Sequence, residues 1–426
     1  MGKCGKGNAF SLSANGECMK FCMVTTFYPP YNFGGDGIFI YRLSNELGRR
    51  GHHVDVIHCK DAYLLLQPRG PKGNYPSHPN VKVHGLKSFA GWMSPFFTQQ
   101  TGSPGFKQIT LRTMLEGNEY DVIHFHNMSL IGITALQYGH AIKLYTTHEH
   151  WLVCPMHVLW KYNRELCVQK SCIRCSLAFK RPPQLWRYSR LLPNMLKHID
   201  HFISPSRFTK KKHHELGLDI PILHIPYFLP KQDIPNNLPS KENHSATDRP
   251  YFLFVGRLEK IKGVQNLIPI FHARPQYRLL IAGTGEFESS LRQLVGSTSN
   301  MTFLGRLDHS QLNDLYRGAT AVIVPSICYE VFGIIIIESY ANKTPVIVNN
   351  LGALPEVVQD SGGGFIYNNP GELLSAMDTL VNTPDLRNEL GAKGHEALLK
   401  FWTEDYHLDV YFDLLHSLKK HKQVVT

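Results

Sequence analysis

The chain has 426 residues, 43 % of them hydrophobic and 19 % charged, with a formal net charge of +11. Such a length predicts roughly two to three globular domains at ~150 residues each, with room for large cores. No apolar run approaches the ~18 residues of a membrane span, and the positive charge comes without a nucleic-acid motif or aromatic platform, so nucleic acid is not an expected partner.

Met1 to Lys6 lacks the apolar segment of a signal peptide, and Lys6 stands where a myristoylation pattern has Ser or Thr; residues 1–19 read as a disordered tail. Nine cysteines, an odd number, form no disulfide framework and point to a reducing, cytoplasmic compartment. Lys20 to Thr26 (K-F-C-M-V-T-T) is a buried parallel strand, followed by a turn-rich stretch that ends in Gly34-Gly35. A helix over Ile38 to Arg50, stopped by Gly51, and a strand over Val54 to His58 complete a β-loop-α-β order, the mark of a parallel sheet covered on both faces. Residues 60–110 are rich in Pro and Gly and read as irregular. Asp121 to Phe125 and Leu144 to Thr147 are further strands, ending in H-F-H (124–126) and H-E-H (148–150). Core or rim roles are expected for His124, His126, His150 and His157.

Directly after His148 come Cys154, Cys167, Cys172 and Cys175, spaced C-x12-C-x4-C-x2-C. C-x2-C is the knuckle spacing of structural zinc, and a four-cysteine set would be closed, tetrahedral and chemically silent. The alternative is four packed thiols in a loop-rich insertion. His201 to Ser204 is a strand leading into the basic run R-F-T-K-K-K-H-H (207–214), either a solvated helix face or a contact for an anionic membrane surface or a diphosphate-bearing acceptor.

Residues 231–249 are polar and aperiodic, the composition of a linker. The α/β pattern then restarts, with strands expected at Tyr251–Val255, Tyr277–Ala282, Thr302–Leu304, Ala321–Val324 and Pro345–Val348. Thr403 to Leu418 is an amphipathic helix expected to pack back on the first domain. The fold class is therefore α/β: two Rossmann-like doubly wound domains (20–230 with 403–426, and 250–402) facing a cleft, with ligands beyond the carboxyl ends of the strands.

The second domain carries most of the recognisable chemistry. After the strand Ala321–Val324, Pro325 stops the ladder, Glu330, Val331, Phe332 and Gly333 form a loop, and an apolar helix begins near Ile334. The first amides of that helix lack intrahelical partners and suit an anion such as phosphate. Glu338, one turn in, can accept from a diol such as a ribose, and Glu330 from a second hydroxylated group. Together these outline a nucleotide-sugar. In F-V-G-R-L-E-K-I-K-G (254–263), Arg257 offers a planar fork and Lys262 a point charge to a diphosphate. I-A-G-T-G-E (281–286) lacks the third glycine of a dinucleotide fingerprint, since position 288 is Glu, and Gly283 is read as part of a ligand-facing turn. F-L-G-R-L (303–307), with Arg306, is placed beside a nucleobase.

In this order and spacing the motifs closely resemble the retaining glycosyltransferases with the GT-B fold, called group 1 or family 4. The resemblance runs from Lys20 to about His416 and rests on G-G (34–35), R-G-H-H-V-D-V (51–56 and its flank), T-T-H-E (146–149), S-P-S-R-F (204–208) and the second-domain motifs with L-P-E-V-V. It implies a nucleotide-diphospho-sugar donor, with Arg257 and Lys262 on the diphosphate, Glu338 on the ribose and Glu330 on the sugar hydroxyls. Gly333, Ile334 and Ile335 would offer amides, with Phe332 beside them, and Gly35 would pack against the phosphates from the other domain. His148 matches the family's active-site histidine. The chain contains no D-x-D, the signature of a metal-held donor, so no catalytic metal is expected. The acceptor would be a polysaccharide, glycan or lipid-linked molecule, with peripheral contact to an anionic membrane. Two departures stand out. Ala353 replaces the second glycine of G-G-L-P-E, and Lys343 stands where a glycine usually precedes T-P-V, with Asn342 able to take the left-handed cap. The competing readings are a catalytically silent GT-B protein that binds sugar or scaffolds an assembly, a GT-B sugar-nucleotide epimerase, and a phosphorylase, which would need a pyridoxal lysine and a longer chain.

Overall fold

A computed structural model describes residues 17–71, 73–235, 249–297 and 300–425. Most of the expected tail and most of the expected linker lie outside these residues. Contacts divide the chain into two compact units, one formed by residues through Pro205 with Thr209–Ile225 and Leu408 onward, the other by Ser206–Phe208 and Pro226–His407.

In the first unit the strands are β1 (Lys20–Thr25), β2 (His53–Cys59), β3 (Val81–Leu86), β4 (Val122–Phe125), β5 (Ile142–Thr146), the short pair β6 (Trp160–Lys161) and β7 (Glu165–Leu166), β8 (His201–Ser204) and β9 (Ile222–His224). Seven of them form one parallel sheet in the order β3-β2-β1-β4-β5-β8-β9. β6 and β7 stand apart as an antiparallel hairpin. Continuous apolar runs explain the parallel pairing, since strands covered on both faces need no polar alternation. Phe21, Val24, Ile57, Ile123 and Phe125 are fully buried. The C-terminal helix Glu404–Val425 contributes Leu408, Tyr411 and Leu415 to this unit, with Tyr411 6.4 Å from the Phe21 ring.

The stretch 60–110, expected to be irregular, is mostly ordered. It holds the helix Lys60–Leu66, strand β3, and the helices Met93–Thr101 and Gln108–Glu116. Apart from Gly85 in β3 and Pro95 in the first turn of its helix, the Pro and Gly residues described here fall between these elements. β3 is an edge strand with only its end residues buried, so its apolar pattern is too weak to read.

In the second unit the strands are β10 (Tyr251–Val255), β11 (Arg278–Ala282), β12 (Met301–Gly305), β13 (Ala321–Val324), β14 (Val346–Asn349) and β15 (Gly364–Tyr367). All are parallel, in the order β12-β11-β10-β13-β14-β15. The order reverses between β10 and β13, and doubly wound sheets bind ligands at that switch, beyond the strand ends. β9 and β15 were not expected from the sequence; each is an edge strand of three or four residues.

Candidate active site

At the switch point of the second unit, two loops converge. After β10 the chain makes the short turn Lys260–Lys262, closed by Lys262 N–H donating to the Glu259 carbonyl at 3.0 Å. After β13, Ile327 N–H donates to the Ile261 carbonyl at 2.9 Å, fastening the second loop onto the first. Gly263 sits at this junction with φ +78, and a β-carbon there would lie 1.9 Å from the Pro325 carbonyl oxygen. Only glycine permits that approach.

The junction brings Lys262 and Glu330 together across 68 positions of sequence. Lys262 Nζ donates to Glu330 Oε1 at 2.6 Å, and buried Ser326 donates to the same oxygen at 2.7 Å. Both charged side chains are mostly buried, with 22 % and 19 % of their surface exposed. Burial alone would push Glu330 up and Lys262 down. The attraction between them, with the hydrogen bonds, reverses both, so Glu330 is held below the ordinary carboxylate value and Lys262 above the ordinary lysine value. Arg257 acts electrostatically on both, but its guanidinium contacts Glu259 at 2.6 Å and is half exposed. The two basic residues are therefore unequal: Lys262 is fixed beside a carboxylate and Arg257 is paired at the surface.

Glu330 leads into Phe332, which is buried, and Gly333, which takes φ +102 as the N-cap of the helix Ile334–Ala341. A side chain at Gly333 would meet Leu354 at 2.9 Å and Ile336 at 3.1 Å. The helix therefore starts close after Glu330, with the half-buried Ile334 and Ile335 as its first residues. One turn on, Glu338 accepts from the Tyr316 hydroxyl at 3.2 Å. Gly283 lies at the end of β11, where its N–H donates to the Gly305 carbonyl at 2.7 Å. Arg306 follows on an exposed loop.

Two expected departures have structural accounts. Ala353 N–H donates to the Glu330 carbonyl at 3.0 Å while Ala353 keeps a right-handed φ of −84, so no second glycine is needed there. At the other position Asn342 does not take the left-handed cap. It has φ −100, and the left-handed residue is Lys343, at φ +51. Asn342 instead donates through Nδ2 to the Glu338 carbonyl at 3.1 Å and to Asn313 Oδ1 at 3.2 Å, ties that its right-handed backbone supports.

In the first unit Gly34 is the N-cap of the helix Gly35–Arg49, with Gly35 exposed as its first residue. The neighbouring strands β4 and β5 end in histidines. His148, buried beyond β5, is hydrogen-bonded through Nε2 to His126 Nδ1 at 2.8 Å. His126 lies beyond β4, and burial, then His124 and His148, hold it well below the usual histidine value, so it is neutral at physiological pH. His124 is bound by Thr146 Oγ1 at 2.8 Å and Tyr411 at 3.1 Å. Ser326, Tyr316 and His126 were not singled out as site residues from the sequence. Ser326 follows a strand end and could have been found on that ground; the other two meet their partners only in three dimensions.

A cavity of about 160 Å³ in the segment 150–190 is lined by Lys170, Gln184, Arg187 and Tyr188, among others. Arg187 lies over the rings of Trp151 and Trp186, at 4.7 and 4.8 Å.

Comparison with known proteins covers most of the chain. Residues 33–228 match the model for Glycosyltransferase Family 4, and residues 237–397 match that for Glycosyl transferases group 1. An uncharacterized glycosyltransferase of Methanocaldococcus jannaschii is 27 % identical over 395 residues, covering 85 % of this chain and 89 % of its own. Among solved structures, sucrose-phosphate synthase of Thermosynechococcus elongatus superposes with a TM-score of 0.70 at 21 % identity, over 94 % of this chain and 100 % of its own. Anabaena HepE, solved in complex with UDP, gives 0.66 at 17 % identity over 94 % and 100 %.

Proposed function

The chain belongs to the group 1 glycosyltransferases with the GT-B fold, and from that premise we propose a retaining, metal-independent hexosyltransferase acting on a nucleotide-diphospho-sugar. The observation that carries this reading is the meeting of Lys262, Glu330 and Ser326 at the switch point, ahead of the helix that Gly333 caps. Departure of a nucleoside diphosphate develops negative charge on its β-phosphate oxygens. A preorganised donor at such a point contributes roughly 3–4 kcal/mol. Lys262 is charged and fixed, which suits it to this role, and the helix amides add their dipole. Glu330, kept ionised, accepts from the hydroxyls of the transferred sugar, and Glu338 from the ribose. Arg257 leaves Glu259 for the diphosphate when the donor enters. The departing phosphate takes the acceptor's proton, and the new bond forms on the face just vacated, with retention. His148, oriented by the neutral ring of His126, is the first unit's candidate active-site histidine.

The acceptor in this reading is a glycan, polysaccharide or lipid-linked molecule bound by the segments 60–110 and 150–190, with the protein peripheral to an anionic membrane. An exposed aromatic surface supports the lipid side: Phe89, Trp92, Met93, Phe96 and Phe106 stand 93, 64, 51, 49 and 44 % exposed. Clustered exposed aromatics are characteristic of membrane interfaces. The basic helix Arg207–Glu215 offers less than its sequence suggests, because Lys211 and Lys212 lie 3.8 and 2.7 Å from Glu215.

A panel of UDP-, GDP- and ADP-sugars, each with and without EDTA, tests the reaction. One donor should raise the melting midpoint and be hydrolysed with EDTA present, and Lys262→Ala should abolish the hydrolysis. A Glu330→Ala variant with undiminished activity would sink the enzyme reading and leave a silent sugar-binding protein. Sedimentation with vesicles of anionic and neutral lipid tests the membrane contact, which fails if Phe89→Ser/Trp92→Ser binds as well as wild type.

A further inference from the structure

The segment between His150 and Lys180 has little regular structure of its own: the two-residue strands β6 and β7 and the seven-residue helix Cys172–Ala178. It nevertheless holds an unusual backbone. Among the described residues, six non-glycine positions have left-handed φ, and five of them fall here: His157, Leu159, Tyr162, Asn163 and Lys180 at +72, +50, +55, +57 and +54. Such conformations persist only where the surroundings over-determine them. A fold this short with this much strain calls for a cross-link.

The hairpin and the helix bring four distant thiols to one place. Cys154 precedes the hairpin, in a turn closed by His157 N–H on its carbonyl at 3.0 Å. Cys167 follows it, with its N–H on the Leu159 carbonyl at 2.8 Å. Cys172 and Cys175 sit on the first turn of the helix. All four line one cavity of about 10 Å³, together with Trp160 and Lys161. That is room for a single water-sized body. All four are free thiols, and Tyr162 N–H donates to Cys175 Sγ at 3.4 Å, the kind of sulfur hydrogen bond that supports a metal thiolate.

The charges nearby are those a metal thiolate would need. Four thiolates on a divalent ion leave a net charge of about −2. Lys161 lines this cavity, and Lys170 lines a second one with Cys172. Arg187, which lines a cavity with Cys172, donates to Gln184 Oε1 and the Leu152 carbonyl, yet its buried Nη2 has no hydrogen-bond partner. A buried guanidinium without a carboxylate bonded to it is costly, and an anionic cluster within its reach supplies the missing counter-charge.

We propose that Cys154, Cys167, Cys172 and Cys175 form a structural zinc site that holds the segment 150–180 in its strained shape. As the side chains stand, no three His, Cys, Asp or Glu groups among the described residues are placed to hold a metal ion, so binding requires the four thiols to turn into the cavity they line. Each thiol gives up its proton to solvent as its S–Zn bond forms. The site is closed, takes no part in transfer, and does not depend on the donor chemistry above.

The test is metal content, measured on the full chain purified under reducing conditions without added metal. Elemental analysis should find about one zinc per chain, released by a mercurial that caps thiols. The Cys172→Ser/Cys175→Ser double variant should lose it, and Cys18→Ser should keep it. Because the double variant can fail by unfolding, the wild type is also stripped and given cobalt(II), which should produce the sulfur-to-cobalt charge-transfer band of a tetrahedral thiolate site. Zinc below about one-tenth equivalent together with no such band overturns the proposal. So does a disulfide between any two of the four cysteines in the freshly purified protein.

Discussion

The pair Lys262–Glu330 shows how two costly burials become a working site. Each charge alone would be driven toward neutrality, and each is kept ionised by the other. The sign of the consequence can be worked out. Glu330 is depressed, so its contribution to stability is present above the ordinary carboxyl range and is lost as pH falls through its folded value. Lys262 is raised, so its contribution is complete below the ordinary lysine value and is lost as pH rises through its folded value. The pair is at full strength between about pH 5 and pH 10. Glu330→Gln should cost ~2–3 kcal/mol there, less than a fully enclosed pair because part of each side chain meets water. In scanning fluorimetry the midpoint gap to wild type should be flat near neutrality and close below about pH 4. A gap unchanged down to pH 3 would show that Glu330 is not held as the carboxylate of this pair. Lys343 allows a second measurement on a single residue. At φ +51 it carries the ~1–2 kcal/mol penalty of a left-handed side chain, part of which glycine returns as chain entropy. Lys343→Gly should therefore stabilise by about 1 kcal/mol in urea unfolding, and Asn342→Gly should not. A destabilised Lys343→Gly contradicts the backbone assigned here.

At the scale of elements, the site depends on a turn being clamped to a loop. Gly263 is the point of closest approach, and Gly263→Ala would drive a methyl into the Pro325 carbonyl. The turn must then lift, taking Lys262 from Glu330, and a displacement near 1 Å at a positioned group costs on the order of 10²-fold in rate. Gly217 has a similar φ of +84 with nothing within 4 Å, so Gly217→Ala should lose ~1–2 kcal/mol of stability and keep its activity. Equal activity in the two variants would show that the clamp does not position Lys262. This closeness of loop to loop marks the limit of what the chain discloses. The strands Tyr251–Val255 and Ala321–Val324 and the helix from Ile334 are legible because each is a dense apolar run with a stop beside it. Lys262 and Glu330 stand out because they are charged residues in the loops that follow strand ends, and Glu338 because it is a charge in an otherwise apolar helix start. β3, β9 and β15 are not legible, being edge strands that are short or buried only at their ends, nor is the tie from Tyr316 to Glu338, which spans two helices. The left-handed backbone at Lys343 is hidden for a further reason: the neighbouring Asn is the better left-handed residue by type, and its side-chain bonds, invisible in sequence, hold it right-handed.

Across the whole molecule, buried histidines are unevenly shared. In the first unit burial pushes His52 and His213 down to about 4 and His58 to about 3, while His126 and His150 lie well below the usual value. The second unit holds His407, at about 4, and His395, lowered by burial. Each of these rings is neutral when folded and takes up a proton when its unit unfolds. Their stabilising contribution is therefore present above about pH 6.5 and is lost as pH falls toward the folded values. Every such ring steepens the loss by up to ~1.4 kcal/mol per pH unit, and a unit has only ~5–15 kcal/mol to lose. The first unit, with more of these rings, should unfold at the higher pH. Hydrogen exchange read by mass spectrometry over pH 6.5 to 4, corrected for the intrinsic pH dependence of exchange, should show protection lost in β1, β2, β4 and β5 while β10, β11 and β13 remain protected. The two units acquire different acid limits because the first keeps its histidines in its core and the second keeps its charge paired at the switch point. Simultaneous loss, or loss in the second unit first, would mean that another set of groups governs acid stability.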